Sequence, residues 1–435
     1  MNWLSAYKAK IVDARTALER SISSSNRVML NANCAQPQTL VEALSEIAPD
    51  LRDVEVVQLL ALGKSNYVRS ELYGHVRLNA LFVGPGVRSA VNAGDADYTP
   101  IFLSEIPNLF KNGTLPLDVS LIQVSPPDEH GFCSFGLSVD IIKPAAENSK
   151  IVIAEVNPQM PRTLGDSFIH VSKLSHVVET DRPVLELPRE QFTDVHKRIG
   201  QHIAKLIEDG STLQLGIGAI PDAVLGELKD KRHLGIHTEM FSDGVMELFE
   251  AGVITNERKT LHPGKIISSF IMGTRPLYDF INNNPVVEMH PSHYVNDPFI
   301  IAKNDNMVSI NSAISVDLTG QVNSDSMGTS FFSGIGGQVD FVRGAARSKN
   351  GKAILAFPST AKNGALSRIV ATLAPGAGVV TSRGDVHYVA TEYGVALLHG
   401  KTIRERARAL INIAHPKFRD ELEKFAREQN YLKRT

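Results

Sequence analysis

Apolar residues along this chain recur in two rhythms, and the rhythms alternate. From Ala14 to Ile22, and again from Thr39 to Ile47 after Pro37 and Gln38, they are spaced among charged residues as on an amphipathic helix. Short β-rich runs follow at Val54–Leu60, Leu78–Val83, Val119–Val124 and Ile151–Val156, with helical segments between them. Such alternation predicts an α/β fold with a mostly parallel sheet covered by helices. From Arg182 to Thr193 the chain turns polar and proline-bearing, which predicts a connection between two halves. A helix from Asp194 to Asp209 then opens a second alternation. Its runs are Leu213–Leu215, Leu234–His237, Lys265–Phe270, Val308–Ile310 and Val379–Val380, and an amphipathic helix from Ile403 to Ile413 closes it. The expected domains are residues 1–190 and 191–435.

The halves echo each other. Leu81-Phe82-Val83-Gly84-Pro85-Gly86-Val87 reads as strand, glycine turn and helix, and so does Leu213-Gln214-Leu215-Gly216-Ile217-Gly218-Ala219. Two similar open, mostly parallel-sheet domains facing each other are expected to hold a site in the cleft between them. No short-period repeat or low-complexity segment interrupts the pattern.

Composition narrows the function classes. A chain of 435 residues exceeds one ordinary core, and 43% apolar with 21% charged residues is the range of a globular enzyme. Forty-five basic against 47 acidic residues leave a net charge of -2, which gives no footprint for nucleic acid or anionic membrane. Any anionic ligand must be held by a local site. Cys34 and Cys133 are too few for a disulfide framework and lack metal-type spacing, so a reducing compartment is expected. The opening residues Met1 to Lys8 lack the apolar core of a signal peptide, and no apolar run reaches the roughly 18 residues of a membrane span. The expected location is cytoplasmic.

Candidate chemistry gathers in the second half. Leu213 to Val224 forms a strand, a turn at Gly216 and Gly218, and a helix with Pro221 in its first turn. Glycines there let a ligand approach the backbone, and amides at a helix start can face an anion; a plain tight turn fits the same residues. The next strand, His233 to Thr238, ends at Glu239, where open α/β sheets place their ligands. A capping or solvated carboxylate is the simpler alternative. A dinucleotide fold also sets an acid about 20 residues past its glycine turn. Pro221, however, stands where that motif needs its third glycine.

Ser333 to Phe341 carries glycines at 334, 336 and 337 and can bare amides as an anion nest or form a flexible hairpin. Asn311 to Ile314 before Asp317-Leu318-Thr319-Gly320 reads as strand and turn, and Lys362 is a candidate phosphate partner. Other chemistries lack their parts. His290 and His293 have Pro291 between them and no third ligand, so no metal site is expected. Gly400-Lys401-Thr402 misses the earlier glycine of a phosphate loop, and no G-x-S-x-G elbow occurs.

Taken in order, several segments resemble the acetyl-CoA hydrolase/transferase family, and within it the branch of 4-hydroxybutyrate and butyrate CoA-transferases. They are Ser125-Pro126-Pro127-Asp128-Glu129-His130-Gly131, Gly216 to Pro221, His237-Thr238-Glu239-Met240, Gly336 to Phe341, Thr381 to Val386 and Thr391 to Ala396. The resemblance runs through nearly the whole chain. It implies that Glu239 is a catalytic nucleophile and that CoA is contacted by Gln214, Leu215, Gly216, Ile217, Gly218, Ile314, Gly336, Gly337 and Lys362. It implies further a domain pair of the CoA-transferase type, a homodimer or larger homo-oligomer, and acyl-CoA with small carboxylates as partners. CoA is then substrate and covalent intermediate, with no permanently bound cofactor and no metal.

The chemistry so implied is CoA transfer between an acyl-CoA and a carboxylate through a glutamyl-CoA thioester, with 4-hydroxybutyrate or butyrate and acetyl-CoA as the implied partners; a glutamate near its ordinary pKa of ~4.3 is charged at neutral pH, so no base is needed. The oxyanions that form need amide donors, expected near Ile217-Gly218 and Gly336-Gly337. An acyl-CoA hydrolase using the same glutamate, a non-catalytic CoA-binding module and a dinucleotide-dependent dehydrogenase are the alternatives. For the acyl pocket, Phe331, Phe332, the surroundings of Met240 and the stretch from His290 to Asn296 are candidates.

Overall fold

The computed structural model describes residues 3–433; Met1 and Asn2, at the start of the segment read for a signal peptide, and the last two residues lie outside it. The chain forms two compact units. One comprises residues 1–188, 267–295 and 332–334, and the other 189–266, 296–331 and 335–435. The chain thus passes between units several times, where the hydrophobic pattern alone suggested one passage near residue 190.

In the first unit, seven strands form one sheet: β1 (Arg27–Leu30), β2 (Val54–Gln58), β3 (Val76–Ala80), β4 (Asp97–Tyr98), β5 (Leu117–Val124), β6 (Ser149–Val156) and β7 (His176–Glu179). Their order is β7-β6-β5-β1-β2-β3-β4 and every pairing is parallel. A parallel strand covered on both faces must be apolar nearly throughout. Accordingly β5 is buried at all but one position, and Val119, Leu121 and Ile122 are fully enclosed. Helix α1 (Gln38–Ile47) lays Leu40, Val41, Leu44 and Ile47 on this core. Its first turn is held by Glu155 of β6, which accepts from the amides of Thr39 at 2.9 Å and Leu40 at 3.2 Å.

Residues 267–295 join this unit because their strands pair there. Ile266–Ser268, Val287–Met289 and Leu164–Gly165 make a small sheet, and the amides of Val139 and Asp140 bond to Ser269 O. The run expected as one strand at Lys265–Phe270 is therefore two short strands, Ile266–Ser268 and Phe270–Ile271.

In the second unit, α2 (Asp194–Ala204) leads into a sheet of six strands: β8 (Thr212–Leu215), β9 (Gly235–Ile236), β10 (Met307–Ser312), β11 (Lys352–Ala356), β12 (Tyr388–Thr391) and β13 (Gly394–Leu397). The order is β9-β8-β10-β11-β12-β13, parallel except for the last hairpin. Helices α3 (Ala219–Gly226), α4 (Asp243–Glu250), α5 (Gln338–Arg347) and α6 (Ile403–Ile413) accompany it, and a further helix, α7 (Pro416–Glu428), follows α6, which the sequence pattern had as the last. The α5 helix packs on β10 and β11, while α2 and α6 pack on β12 and β13. Val379–Val380, read as a strand, is loop, and Val379 is 47% exposed. Pro375, Gly376 and Gly378 just before it break any extended run. The strands of that region are β12 and β13.

Both units are thus α/β with mostly parallel sheets, as the alternation of patterns predicts. Among the described residues, no helix is long and apolar enough to cross a membrane.

One buried carboxyl in the first unit ties stability to pH. Asp140 is 1% exposed and accepts from Ser138 Oγ at 3.0 Å, Ile141 N at 2.7 Å and Asn33 Nδ2 at 3.1 Å. Burial nevertheless outweighs these donors and pushes its pKa from 3.8 up to about 6. The folded state then holds the proton more tightly than the unfolded chain, so this contribution is complete below about pH 4 and is lost as pH rises through about 6. Urea titrations from pH 4 to 7 should show this decline superimposed on the other titrations, and Asp140→Asn should flatten it. An unchanged slope in the variant refutes the assignment.

Candidate active site

The parallel sheet of the second unit sends its loops to one edge, and the candidate residues lie on those loops. Glu239 follows β9, the Gly216–Gly218 turn follows β8, Ile314 follows β10 and Lys362 follows β11. Glu392, which sequence reading did not single out, follows β12. Five neighbouring parallel strands therefore deliver their carboxyl-terminal loops side by side, where open α/β sheets bind ligands.

Glu239 and the glycine turn are tied through the backbone. His237 N donates to Leu213 O at 3.1 Å, and the Thr238 hydroxyl reaches Leu215 O at 3.2 Å and Met240 O at 2.7 Å. His237 and Thr238 are fully enclosed, whereas Glu239 is half-buried. Burial on either side fixes the backbone while the carboxylate keeps access to its surroundings. Met240 and Phe241 then enter the core, and α4 begins at Asp243.

Asn296 and Gly337 of the same unit come close to the carboxylate. Asn296, 0% exposed, donates from Nδ2 to Glu239 Oε2 at 2.9 Å. Gly337, which caps the start of α5, lies so close that a Cβ there would overlap both Glu239 Oε2 and Asn296 Nδ2. The first four amides of a helix have no acceptor within it, and its dipole favours negative charge at that end. Glu239 is thus set beside the start of the ten-residue α5 helix, and only glycine permits the approach. Gly336, just before, takes the left-handed backbone at φ 58° that directs the chain into the helix. Asn296 Oδ1 is buried and has no hydrogen-bond partner among the described residues.

The glycine turn is open. A side chain at Gly216 would meet nothing within 4 Å, Ile217 is 36% exposed, and Gly218 has φ 103°. Gln214 and Leu215 are buried in β8, and Gln214 pairs its amide with that of Asn311 at 3.0 and 3.2 Å. The turn itself, from Gly216 to Gly218, is partly exposed. Pro221 falls in the first turn of α3, so the amides of Ala219 and Ile220 precede a position with no N–H. Nearby, burial raises the Asp222 carboxyl above its ordinary range despite Arg189 and a 3.4 Å contact from Ser242 Oγ.

Ile314 is half-buried at the end of the β10 loop. Lys362 is exposed, with φ 50°, at the turn of a hairpin pairing Thr360–Ala361 with Leu366–Ser367. Glu239, Gly337 and the glycine turn are brought together by direct bonds or contacts; Ile314 and Lys362 are related to them by strand order. Of the expected pocket residues, Phe331 is 40% exposed in the second unit, whereas Phe332 belongs to the first, where the Arg88 guanidinium covers its ring at 3.8 Å. Asn296 was singled out only within a broad stretch, since one asparagine before an Asp-Pro turn carries no chemical signature. Among the described residues, no group of three or more His, Cys, Asp or Glu side chains is placed to hold a metal ion.

Comparison with known proteins places this chain in a family. The acetyl-CoA hydrolase/transferase N-terminal domain matches residues 1–187, and the corresponding C-terminal domain matches residues 273–426. The chain is 59% identical over 422 residues to the 4-hydroxybutyrate coenzyme A transferase of Clostridium kluyveri, covering 97% of this chain and 98% of that one. It is 36% identical over 445 residues to the butyryl-CoA:acetate CoA-transferase of Anaerostipes caccae, covering 100% of both. The crystal structure of a 4-hydroxybutyrate CoA-transferase from Porphyromonas gingivalis superposes with a TM-score of 0.86 at 44% identity, covering 98% of this chain and 100% of that one. With both domain types matched in order and relatives similar from end to end, this chain belongs to the acetyl-CoA hydrolase/transferase family.

Proposed function

We propose that the protein is an acyl-CoA:carboxylate CoA-transferase, exchanging CoA between acetyl-CoA and a four-carbon acid such as 4-hydroxybutyrate or butyrate. The observation that carries the mechanism is the Glu239 carboxylate against the glycine start of α5, with Asn296 bonded to one oxygen at 2.9 Å. Full-length similarity to proteins named as CoA-transferases supports the reaction class.

In the first half-reaction a Glu239 oxygen attacks the thioester carbonyl of the donor. The C–S bond breaks, giving a mixed anhydride and CoA thiolate. The thiolate then attacks the Glu239 carbonyl, so the donor acid leaves with its own oxygen and the bridging one, and a glutamyl-CoA thioester remains. The acceptor carboxylate runs the two steps backwards. Each attack gathers negative charge on a carbonyl oxygen, and amides at a helix start offer donors that need not reorganise. Those at the start of α5 are beside Glu239, and those of the Gly216–Gly218 turn are tied to its strand through Thr238. Asn296 orients the carboxylate through its bond to Oε2.

Replacing Glu239 by Gln removes the charged nucleophile but keeps the shape. Transfer from acetyl-CoA to butyrate should fall by about 10⁴-fold or more. The wild-type chain exposed to acetyl-CoA should gain the mass of CoA less water and lose it to hydroxylamine, whereas the variant should gain none. Normal transfer by Glu239→Gln sinks the proposal. Equal thiol release with and without an acceptor acid indicates hydrolysis instead of transfer.

Gly337→Ala offers an independent check on geometry. Its Cβ requires Glu239 or Asn296 to move, so transfer should drop by about 10²-fold, the cost typical of misplacing a reacting group by ~1 Å. Structure determination of the variant should show a displaced carboxylate; unchanged activity with Glu239 in place contradicts the argument.

A further inference from the structure

Arginines in this chain are mostly accounted for by bonds to carboxylates or carbonyls. Burial lowers the pKa of two, Arg406 and Arg368. Arg406 gives its N–H groups to Lys401 O, Thr319 O and Arg383 O at 2.6 to 3.3 Å. Arg368, half-buried, makes no side-chain hydrogen bond or ion pair within 4.0 Å among the described residues. A guanidinium offers five donors, and partial burial without a protein acceptor is unfavourable unless solvent or a bound anion meets them.

Its backbone position is fixed from both sides. Arg368 N donates to Ser359 O at 2.9 Å, and Arg368 O accepts from Val316 N at 2.9 Å. The residue therefore lies between the loop after β11, which carries Lys362, and the strand Ser315–Asp317, which begins one residue past Ile314. The nearest acid does not hold it. Glu392 gives Oε2 to Ser359 N at 2.8 Å and Oε1 to Ser359 Oγ at 2.6 Å, so both oxygens are engaged elsewhere. Glu392 and His196 lie within electrostatic range, and neither forms an ion pair with the guanidinium.

We propose that Arg368 binds a phosphate group of the CoA substrate. This rests on the CoA-transferase reading and deepens it: the other loops of the sheet edge handle the thioester, while Arg368 grips the anionic end of the carrier. A planar guanidinium suits phosphate oxygens in pairs, which the exposed Lys362 ammonium cannot match. Arg368 is only half-buried, so part of the group remains open to an incoming anion.

The test uses the full chain with Arg368→Gln and Arg368→Lys. Calorimetry should show CoA binding weakened by about 10–100-fold in Arg368→Gln, the range of a charge-assisted bond, with partial recovery in Arg368→Lys. KM for acetyl-CoA should rise with kcat altered less, while kinetics with acetyl-pantetheine, which has no phosphate, should match wild type. A deficit that vanishes with dephospho-CoA assigns the 3′-phosphate, and one that persists assigns the pyrophosphate; either supports the proposal. Unchanged CoA affinity, or equal losses with CoA and pantetheine, overturns it and leaves Arg368 as a counter-charge to Glu392. Should Arg368→Gln melt markedly earlier than wild type, the comparison of the two thioesters in Arg368→Lys decides. Binding is read without turnover, so a wild-type chain that binds CoA yet transfers nothing overturns the transferase reading alone.

Discussion

The Glu239 carboxylate and the first turn of α5 approach each other only because position 337 carries no side chain. An α-carbon that near to a carboxylate oxygen leaves no room for a methyl group, and the same space is bounded by the amide of Asn296. The helix start supplies the favourable field, Asn296 supplies a directed donor, and the enclosed Thr238 pins the backbone behind. Remove any of the three and the carboxylate is no longer fixed in orientation. A reaction that uses this group twice, first as attacking oxygen and then as acyl carrier, needs that constancy.

The sheet of the second unit explains how such distant residues meet. Parallel pairing aligns the ends of β9, β8, β10, β11 and β12, so residues from 216 to 392 share one edge although they span much of the chain. Each loop then carries a different chemical character. One bears a carboxylate, one an open glycine turn, one a half-buried isoleucine, and the last two an arginine and the buried Ser359–Glu392 pair. The Ser359–Glu392 bonds hold the carboxylate at Ser359, where its charge still favours the Arg368 guanidinium without bonding to it.

How far this was legible in the sequence differs by level. The α/β class followed from the alternation of periods, because strands buried on both faces leave continuous apolar runs such as Val119–Val124. Glu239 and the glycine turn were visible for the same reason, since a strand end is marked by where an apolar run stops. Passage of residues 267–295 into the first unit was not, as strand pairing across more than 100 residues leaves no local trace. Val379–Val380 misled because two β-branched residues count as strand only when neighbours continue the pattern, and glycines and a proline precede them. Asn296 and Arg368 escaped because their significance lies in what surrounds them, a buried carbonyl oxygen without a partner in one case and a half-buried guanidinium beside an acid that does not bond it in the other.

Oxygen bookkeeping tests the central claim most directly. Let acetate labelled with ¹⁸O at both oxygens serve as acceptor with unlabelled butyryl-CoA, and follow a single turnover. The acetyl-CoA formed retains one labelled oxygen, so the other must be deposited somewhere. Attack on a glutamyl thioester leaves it in the Glu239 side chain, and the peptide containing that residue should gain one ¹⁸O, localised by fragmentation. If the label appears instead in the released butyrate, with Glu239 unlabelled, the acids exchange CoA directly and the covalent account is wrong.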